Sequence, residues 1–330
     1  MNRIAGSAST ATTLSESDLT DWLNAAHANG VHTNIAELMR YRYQPLSLPI
    51  PRTTGSSVQA GQRLSRLRGR GMEFDEVRHY QAGDDIRAID WRVTARTGQT
   101  HTKLFREEKE RPVFVCVDLS SSMWFGSKLL LKSVQAAHIA AGIAWHTVKR
   151  GDRIGGVVFN NQHHVELKPA ARQHGALLLL RQLVALHPQN ITAQHAQHSD
   201  SNSLNAQLQR LIKLCKPGAD VVIISDFSQL NAHTTELLQV LRKHHTVSAV
   251  VITDPFEERL PADFRRDIDA FDGVQQHRLY LSSDTFRKDW QQQAQNWHEQ
   301  RAQALKKAAI RTIEISAALP ATMQWRRWQA

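Results

Sequence analysis

The sequence predicts an α/β protein whose main domain is a doubly wound, mainly parallel β-sheet with helices on both faces. From residue 112 onward, short apolar runs alternate with longer segments in which apolar residues recur at helical spacing. The first run, VFVCV at 113–117, is apolar throughout rather than alternating, as is typical of strands that are buried on both faces of a parallel sheet. Helices are therefore expected to cover both sides of the sheet.

The strands and helices of this domain follow one another in a regular order. The predicted strands are VFVCVD at 113–118, RIGGVVF at 153–159, HHVELK at 163–168, DVVIIS at 220–225, TVSAVVI at 246–252, HRLYLS at 277–282 and TIEIS at 312–316. The predicted helices cover 127–149, 172–187, 203–215, 232–243 and 284–308.

The rest of the chain predicts three further parts. Residues 1–57 combine a short helix, capped by a serine in SESDLTDWLNAAHA, with an extended connector that contains Pro and Gly. Residues 58–111 are charged and rich in Gly, which indicates a small lobe of short strands and helices. The large domain then covers 112–318. Residues 319–330 form a C-terminal tail whose tryptophans either stay free or fold back onto the last strand, and we favour the second arrangement.

Composition limits the possible surroundings of the protein. The two cysteines, Cys116 and Cys215, lie in apolar patterns rather than in a disulfide framework, which predicts a reducing, cytoplasmic compartment. No apolar run is long enough to span a bilayer, so we expect any membrane contact to be peripheral. The formal charge of +10 calls for an acidic partner, which could be a nucleic acid, a membrane face or another protein.

A cluster of oxygen-bearing side chains follows the first strand of the large domain, in DLSSSM at 118–123. Ligands of doubly wound sheets bind outside the carboxyl ends of the strands, and Asp118, Ser120 and Ser122 offer the oxygen ligands that Mg²⁺ prefers. Asp226 follows the strand at 220–225. If the two strands are neighbours, a cation can relieve the repulsion between the two acids. In the alternative interpretation, the serines cap the next helix and the acids are solvated.

The Asp118-Leu-Ser120-Ser-Ser122 string and the later Asp226 resemble the metal-ion-dependent adhesion site of von Willebrand factor A domains. The resemblance implies Mg²⁺ or Mn²⁺ bound directly by the two serines and through water by the two acids, with a partner's carboxylate completing the coordination. The sequence departs from the family at the middle-loop threonine, where Asn202 stands; Ser201 or Ser203 could substitute. This departure predicts weak metal binding or none.

The segment at 69–108 is similar to the signature of the bacterial domain-of-unknown-function family 58, DUF58. The matching residues are Gly69, Gly71, Glu73, Phe74, Glu76, Arg78, Tyr80, Gly83, Asp84, Asp85, Arg87, Ile89, Asp90, Trp91, Ala95, Arg96, Lys103 and Glu107. The resemblance implies a small lobe joined to a von Willebrand A-like, Rossmann-like domain. It also implies work beside a MoxR-type AAA+ ATPase, or on its client, in chaperone-like or assembly processes.

Charged and aromatic side chains of this signature predict a scaffold or a docking surface, made of Glu73, Arg78, Tyr80, Asp84, Asp85, Arg87, Asp90, Trp91 and Arg96. Arginine–carboxylate pairs can fix a lobe that has little apolar core. Tyr80 and Trp91 are then expected to bury their rings. We favour the scaffold, because removing one member of a partly buried ion pair strongly destabilises a protein.

These patterns together predict a non-catalytic protein-interaction module rather than an enzyme. The serines lack a Gly-x-Ser-x-Gly elbow, and the sequence contains no Gly-x-x-x-x-Gly-Lys-Ser/Thr phosphate loop, so we expect no small-molecule substrate. The alternative is a basic nucleic-acid-binding protein that uses Arg63, Arg66, Arg68, Arg70 and the Trp/Arg tail. We favour it less, because acidic residues follow these arginines directly.

Overall fold

The computed structural model describes residues 15–47, 72–107, 111–187, 202–271 and 276–325. The chain divides into two compact units, one of residues 52–110 and the other of residues 1–51 together with 111–330. The N-terminal segment therefore belongs to the larger unit rather than forming a part of its own.

Strands and helices alternate in the larger unit, as the sequence predicts. The strands of the chain are β1 (Met72–His79), β2 (His101–Glu107), β3 (Val113–Asp118), β4 (Ile154–Phe159), β5 (His164–Ala170), β6 (Asp220–Ser225), β7 (Thr246–Thr253), β8 (Ile268–Phe271), β9 (Gln276–Leu279) and β10 (Arg311–Ser316). The helices are α1 (Glu16–Ala26), α2 (Ile35–Met39), α3 (Trp91–Thr97), α4 (Lys132–Lys149), α5 (Arg172–Leu186), α6 (Leu204–Leu214), α7 (Ala232–His244), α8 (Pro255–Glu258), α9 (Asp284–Lys307) and α10 (Ala321–Trp325).

Six strands form the main sheet in the order β10-β7-β6-β3-β4-β5. All neighbours are parallel except β5, which runs antiparallel to β4. Numbered along the chain within this sheet, the order is 3-2-1-4-5-6, the doubly wound arrangement. The predicted α/β fold class is confirmed. It places the carboxyl ends of β3 and β6 side by side, with Val117 in register with Ile224.

Two apolar cores lie on the two faces of the sheet because alternate residues of each strand point to opposite faces. Val113, Val115 and Val117 of β3 pack with residues of α4 and α5. Phe114 and Cys116, between them, pack with residues of α6, α7 and α9. Both faces of β3 are thus covered, which explains why its sequence is apolar throughout.

The N-terminal and C-terminal segments complete the first of these cores. Ser15 caps α1 with a capping box, as predicted. In α2, Glu37 lies within hydrogen-bonding distance of His138 on α4, at 2.6 Å between Oε1 and Nε2. At the other end, Trp325 is 3% exposed and donates its Nε1 to the carbonyl of Ser47 at 2.9 Å. Trp325 is therefore folded back, whereas Trp328 lies outside the described residues.

Two elements differ from the prediction. Helix α4 begins at Lys132 rather than at residue 127, because residues 121–123 form a separate 3-10 turn and the chain then bends before the helix. The HRLYLS segment does not join the main sheet. Its β9 pairs with β8 in a separate antiparallel hairpin, while β10 takes the edge position next to β7. In the described part of the chain, no helix has the length and apolar composition needed to cross a bilayer.

The small unit consists of the antiparallel pair of β1 and β2 with the short helix α3. The expected ion pair between Arg78 and Asp84 is present, at 2.7 Å. Asp85 and Asp90 instead accept hydrogen bonds from main-chain N–H groups, and so cap the 3-10 turn at 86–88 and α3, respectively. Asp90 also lies 3.5 Å from Lys103. The side chains of Arg87 and Arg96 are exposed, and that of Glu73 lies outside the described residues.

The ring of Trp91 is not buried, so the expectation of a buried tryptophan is wrong: its side chain is 67% exposed. Tyr80 is half-buried, and its hydroxyl donates to the carbonyl of Asp84 at 3.4 Å. Among the side chains described between 77 and 103, Thr102 is the buried one. Those residues therefore offer no apolar interior into which a large ring could pack.

Candidate functional site

The predicted corner forms where β3 and β6 end beside each other. Asp118 is 5% exposed; its Oδ1 accepts from the main-chain N–H of Ser120 at 2.9 Å, and its Oδ2 accepts from the hydroxyl of Ser225 at 2.6 Å. The hydroxyl oxygens of Ser120 and Ser122 are 3.3 Å apart. Two oxygen ligands at right angles on Mg²⁺ are about 3.0 Å apart, since each lies ~2.1 Å from the ion. The two hydroxyls are therefore close to the required spacing.

The loop after β4 holds the 3-10 turn at 121–123 in place. Asn161 accepts from the main-chain N–H of Ser121 at 2.6 Å and donates to its hydroxyl at 3.1 Å. Asn202, the predicted middle-loop ligand, is buried nearby, but its amide oxygen lies 3.0 Å from Nδ1 of His164 and its amide nitrogen 3.5 Å from the carbonyl of Asn161. Ser203 caps α6, and Ser201 lies outside the described residues. The middle-loop oxygen is thus already hydrogen-bonded.

Asp226 has a partner that the sequence did not suggest. Its Oδ1 accepts from the N–H of Ser228 at 2.9 Å, and its Oδ2 accepts from the ammonium group of Lys132 at 2.9 Å. The same ammonium group donates to Glu257, which follows β7. Lys132 is 1% exposed. A signal was present in the sequence, since Lys132 lies between the apolar run at 129–131 and the largely apolar segment that follows it, and a buried charge needs a partner.

The electrostatics of the corner follow from burial and close pairing. Burial lowers the pKa of Lys132, but attraction to Asp226 and Glu257 outweighs it, so this pKa lies above its ordinary value. Burial also opposes ionisation of Asp226, yet Lys132 and the N–H of Ser228 hold its pKa below the usual range. Burial raises the pKa of Glu257. Burial and the nearby charge of Asp226 raise the pKa of Asp118 to about 6.

Negative charge exceeds positive charge at the corner. The buried ammonium group of Lys132 pairs with Asp226 and Glu257. The charge of Asp226 acts on Asp118, and that of Asp254 acts on Glu257. The buried guanidinium of Arg301 donates to the main-chain carbonyl of Asp226 at 3.4 Å, so these four carboxylates share two cations. Asp254 caps α8 and accepts from the N–H of Ser127 at 2.9 Å, which ties the segment before α4 to the end of β7. The excess of carboxylates favours a further cation. A cavity of about 370 Å³ opens beside Lys132 and Asp226 and is also lined by Trp290 and Trp297 of α9.

The donor set fits a hard divalent cation only if the serines take part. In the described residues, no three His, Cys, Asp and Glu side chains are grouped so that they could hold a metal ion. The hydroxyls of Ser120 and Ser122 and the carboxylate of Asp118 supply three oxygens within one turn. Asp226 is paired with the positive charge of Lys132, and the amide oxygen of Asn202 is paired with His164. Asp118 also accepts two hydrogen bonds, but both come from uncharged groups, so its negative charge is not neutralised. The fit to Mg²⁺ is therefore carried by the three residues that follow β3.

We expect Asp118→Asn to stabilise the metal-free protein more at neutral than at acidic pH. Because folding raises the pKa of Asp118, the folded state binds this proton more tightly than the unfolded state does. The stability that the protonated Asp118 side chain contributes to the fold is complete below about pH 4 and is lost as the pH rises through about 6. The difference in unfolding free energy, variant minus wild type, should grow by about 3 kcal/mol between acidic and neutral pH.

Urea unfolding in metal-free buffers across this pH range measures the effect, with Asp21→Asn on exposed α1 as the control. A difference between Asp118→Asn and wild type that does not change with pH would contradict the expectation.

Comparison with known proteins finds relatives that are similar to this chain in sequence. "Uncharacterized protein Mb1516" of Mycobacterium bovis and "Uncharacterized protein Rv1480" of Mycobacterium tuberculosis are each 31% identical to it over 207 residues. The alignment covers 62% of this chain and 62% of each relative, so the chain matches less than two thirds of their length.

The solved structures that match this chain are more distant in sequence. BatB from Bacteroides thetaiotaomicron is 12% identical with a TM-score of 0.40, over 66% of this chain and 98% of BatB. A von Willebrand factor type A protein from Catenulispora acidiphila is 16% identical with a TM-score of 0.33, over 46% of this chain and 35% of that protein. The fold and the corner described above rest on the coordinates of this chain alone.

The family model described as "Protein of unknown function DUF58" matches residues 76–301. The match includes most of the signature in the small unit, the corner at the ends of β3 and β6, and most of α9. This chain belongs to the DUF58 family.

Proposed function

We propose that the protein is a non-catalytic interaction module that binds an acidic side chain of a partner protein through Mg²⁺ or Mn²⁺ at the corner. The observation that carries this proposal is the meeting of Asp118 and Asp226 at the ends of adjacent strands, with more carboxylates than cations around them. Excess buried negative charge of this kind calls for a cation, and oxygen donors suit a hard one.

Asp118, Ser120 and Ser122 would hold the ion, with Asp226 and Asn202 nearby. A bound divalent ion supplies a Lewis-acidic centre to which a carboxylate from another protein can bind. The task of this chain is to orient the oxygens, and it does so through the hydrogen bonds from Ser120 and Ser225 to Asp118. The same bonds leave Asp118 little freedom to reorient, which lowers the entropic cost of binding.

The partner that we propose is a MoxR-type AAA+ ATPase or its client, in chaperone-like or assembly work. This part rests on the resemblance of the signature segment, most of which lies within the family match. We place the protein in the cytoplasm, because both cysteines are free and buried rather than joined in a disulfide.

The experiment measures Mn²⁺ binding by titration calorimetry, and then capture of a purified MoxR-type ATPase from the same organism with Mg²⁺ or with chelator. Asp118→Ala should weaken Mn²⁺ binding by about 100-fold or more, since it removes an oxygen donor of the site, and should abolish capture. Asp21→Ala, an exposed acid of the same unit, should change neither.

Metal binding that survives in Asp118→Ala would overturn the proposed site. Binding to a DNA or RNA duplex that ignores chelator but falls steeply with salt would instead favour the rival interpretation, a nucleic-acid-binding protein. The arginines at 63, 66, 68 and 70 that suggested this rival lie outside the described residues.

A further inference from the structure

A buried lysine already occupies part of the corner. Lys132 is the first residue of α4, where the partial positive charge of a helix N-terminus disfavours a cation. Its side chain is nevertheless 2% exposed, and its ammonium group is hydrogen-bonded to Asp226, which is equally buried, and to Glu257. A charge in so unfavourable a position is retained only where its partners hold it strongly.

The carboxylate of Asp226 is therefore already bound within the protein. Both of its carboxylate oxygens accept a hydrogen bond, one from Lys132 and one from Ser228, although Asp226 is also the acid whose charge acts on Asp118 across the sheet edge. A divalent ion bound at Asp118 and the two serines would therefore meet a neighbouring carboxylate that is already neutralised. It would also meet a fixed positive charge, that of Lys132, which repels it.

The geometry points to Lys132 as a built-in cation that competes with the divalent ion for Asp226 and keeps the affinity of the corner for that ion low. This inference rests on the proposed function, since it concerns the same ion. It assigns Lys132 a positioning role rather than that of a ligand. In the metal-free protein the ammonium group holds Asp226 and Glu257 together across the ends of β6 and β7.

The test compares Mn²⁺ affinity, by titration calorimetry and by the electron paramagnetic resonance signal of free Mn²⁺, in wild type and Lys132→Met. Methionine keeps the unbranched shape of the side chain without its charge. We expect Lys132→Met to bind Mn²⁺ at least 10-fold more tightly than wild type, and the gain to disappear when Asp118→Ala is added. Equal or weaker binding by Lys132→Met would overturn the inference.

A second pair of variants controls for misfolding, because Lys132→Met leaves the buried carboxylate of Asp226 and the half-buried carboxylate of Glu257 without their cation. Glu257→Gln retains the bond between Lys132 and Asp226, and is expected not to tighten Mn²⁺ binding. The double variant Lys132→Met/Glu257→Gln loses one positive and one negative charge and frees Asp226, so it should bind Mn²⁺ about 10-fold more tightly than Glu257→Gln. Equal affinities in this pair would also contradict the role of Lys132.

The two proposals fail in different ways. If wild type binds Mn²⁺ in a manner that depends on Asp118 but loss of Lys132 brings no gain, the inference fails and the proposed metal site stands. If no variant binds Mn²⁺, both fail. If Mn²⁺ binds only after Lys132 is replaced, competition by the lysine is supported, and metal-dependent adhesion by the wild-type protein is overturned.

Discussion

Gly156→Ala is expected to destabilise the protein by about 4 kcal/mol or more, a large part of the ~5–15 kcal/mol by which domains are usually stable. Gly156 lies in β4 next to a bulge in its pairing with β5, with φ +154°. A Cβ atom there would lie 2.0 Å from the carbonyl oxygen of Val115 in β3. The clash is with backbone, so no side-chain rotation relieves it, and β3 and β4 must move apart.

Urea unfolding of the purified variant measures this loss. Gly151→Ala is the matched control: Gly151 also has a positive φ, at +83°, but an added Cβ would have no neighbour within 4 Å. We expect it to cost about 1 kcal/mol, through backbone strain alone. Similar losses in the two variants would show that the contact with β3 is not the cause. Because β3 ends in Asp118, Gly156→Ala should also impair metal binding in any protein that remains folded.

Glu37→Ala is expected to cost about 3 kcal/mol and to release the N-terminal segment from α4. Glu37 and His138 are 0% and 1% exposed, and Oε1 of the glutamate lies 2.6 Å from Nε2 of the histidine. The hydroxyl of Tyr41 lies 3.0 Å from the other ring nitrogen of His138. Removing Glu37 leaves one of the two ring nitrogens without its partner in a site that water does not reach.

Hydrogen exchange combined with proteolysis separates local release from global unfolding. Residues 15–47 should lose protection in Glu37→Ala, whereas the strands of the sheet should keep theirs. Glu37→Gln, which retains an oxygen that can accept from His138, should lose less than half as much stability. Equal losses in the two variants would mean that the carboxylate charge, rather than the hydrogen bond, holds the segment.

The sequence was sufficient to predict the sheet domain and most of the corner, for a local reason. Strands β3 and β6 are continuous apolar runs that end in Asp118 and in Ser225-Asp226. A pattern of a few consecutive residues therefore predicts both the strand and the acid at its end. Their adjacency then follows from the doubly wound order. The same locality explains why the Ser15 cap was predicted correctly.

Features that depend on distant partners were missed. Lys132 is separated by 94 residues from Asp226 and by 125 from Glu257, and no local pattern joins them. Asn202 was assigned to the metal from its place in the loop, but His164, 38 residues away, hydrogen-bonds its amide oxygen. The sequence of β9 predicts a strand whether it joins the main sheet or a separate hairpin. Only its pairing with β8 shows that it lies outside the main sheet.

Strand β5 ends the sheet on one side, and its composition restricts how another protein can approach that side. The strand exposes Glu166 and Lys168 and contains Pro169, which has no N–H to offer. Charged residues and proline at a sheet margin oppose the docking of a foreign strand by main-chain hydrogen bonds. An extended peptide would therefore find no template along β5, which discourages both strand-exchange assembly and fibre-like self-association there.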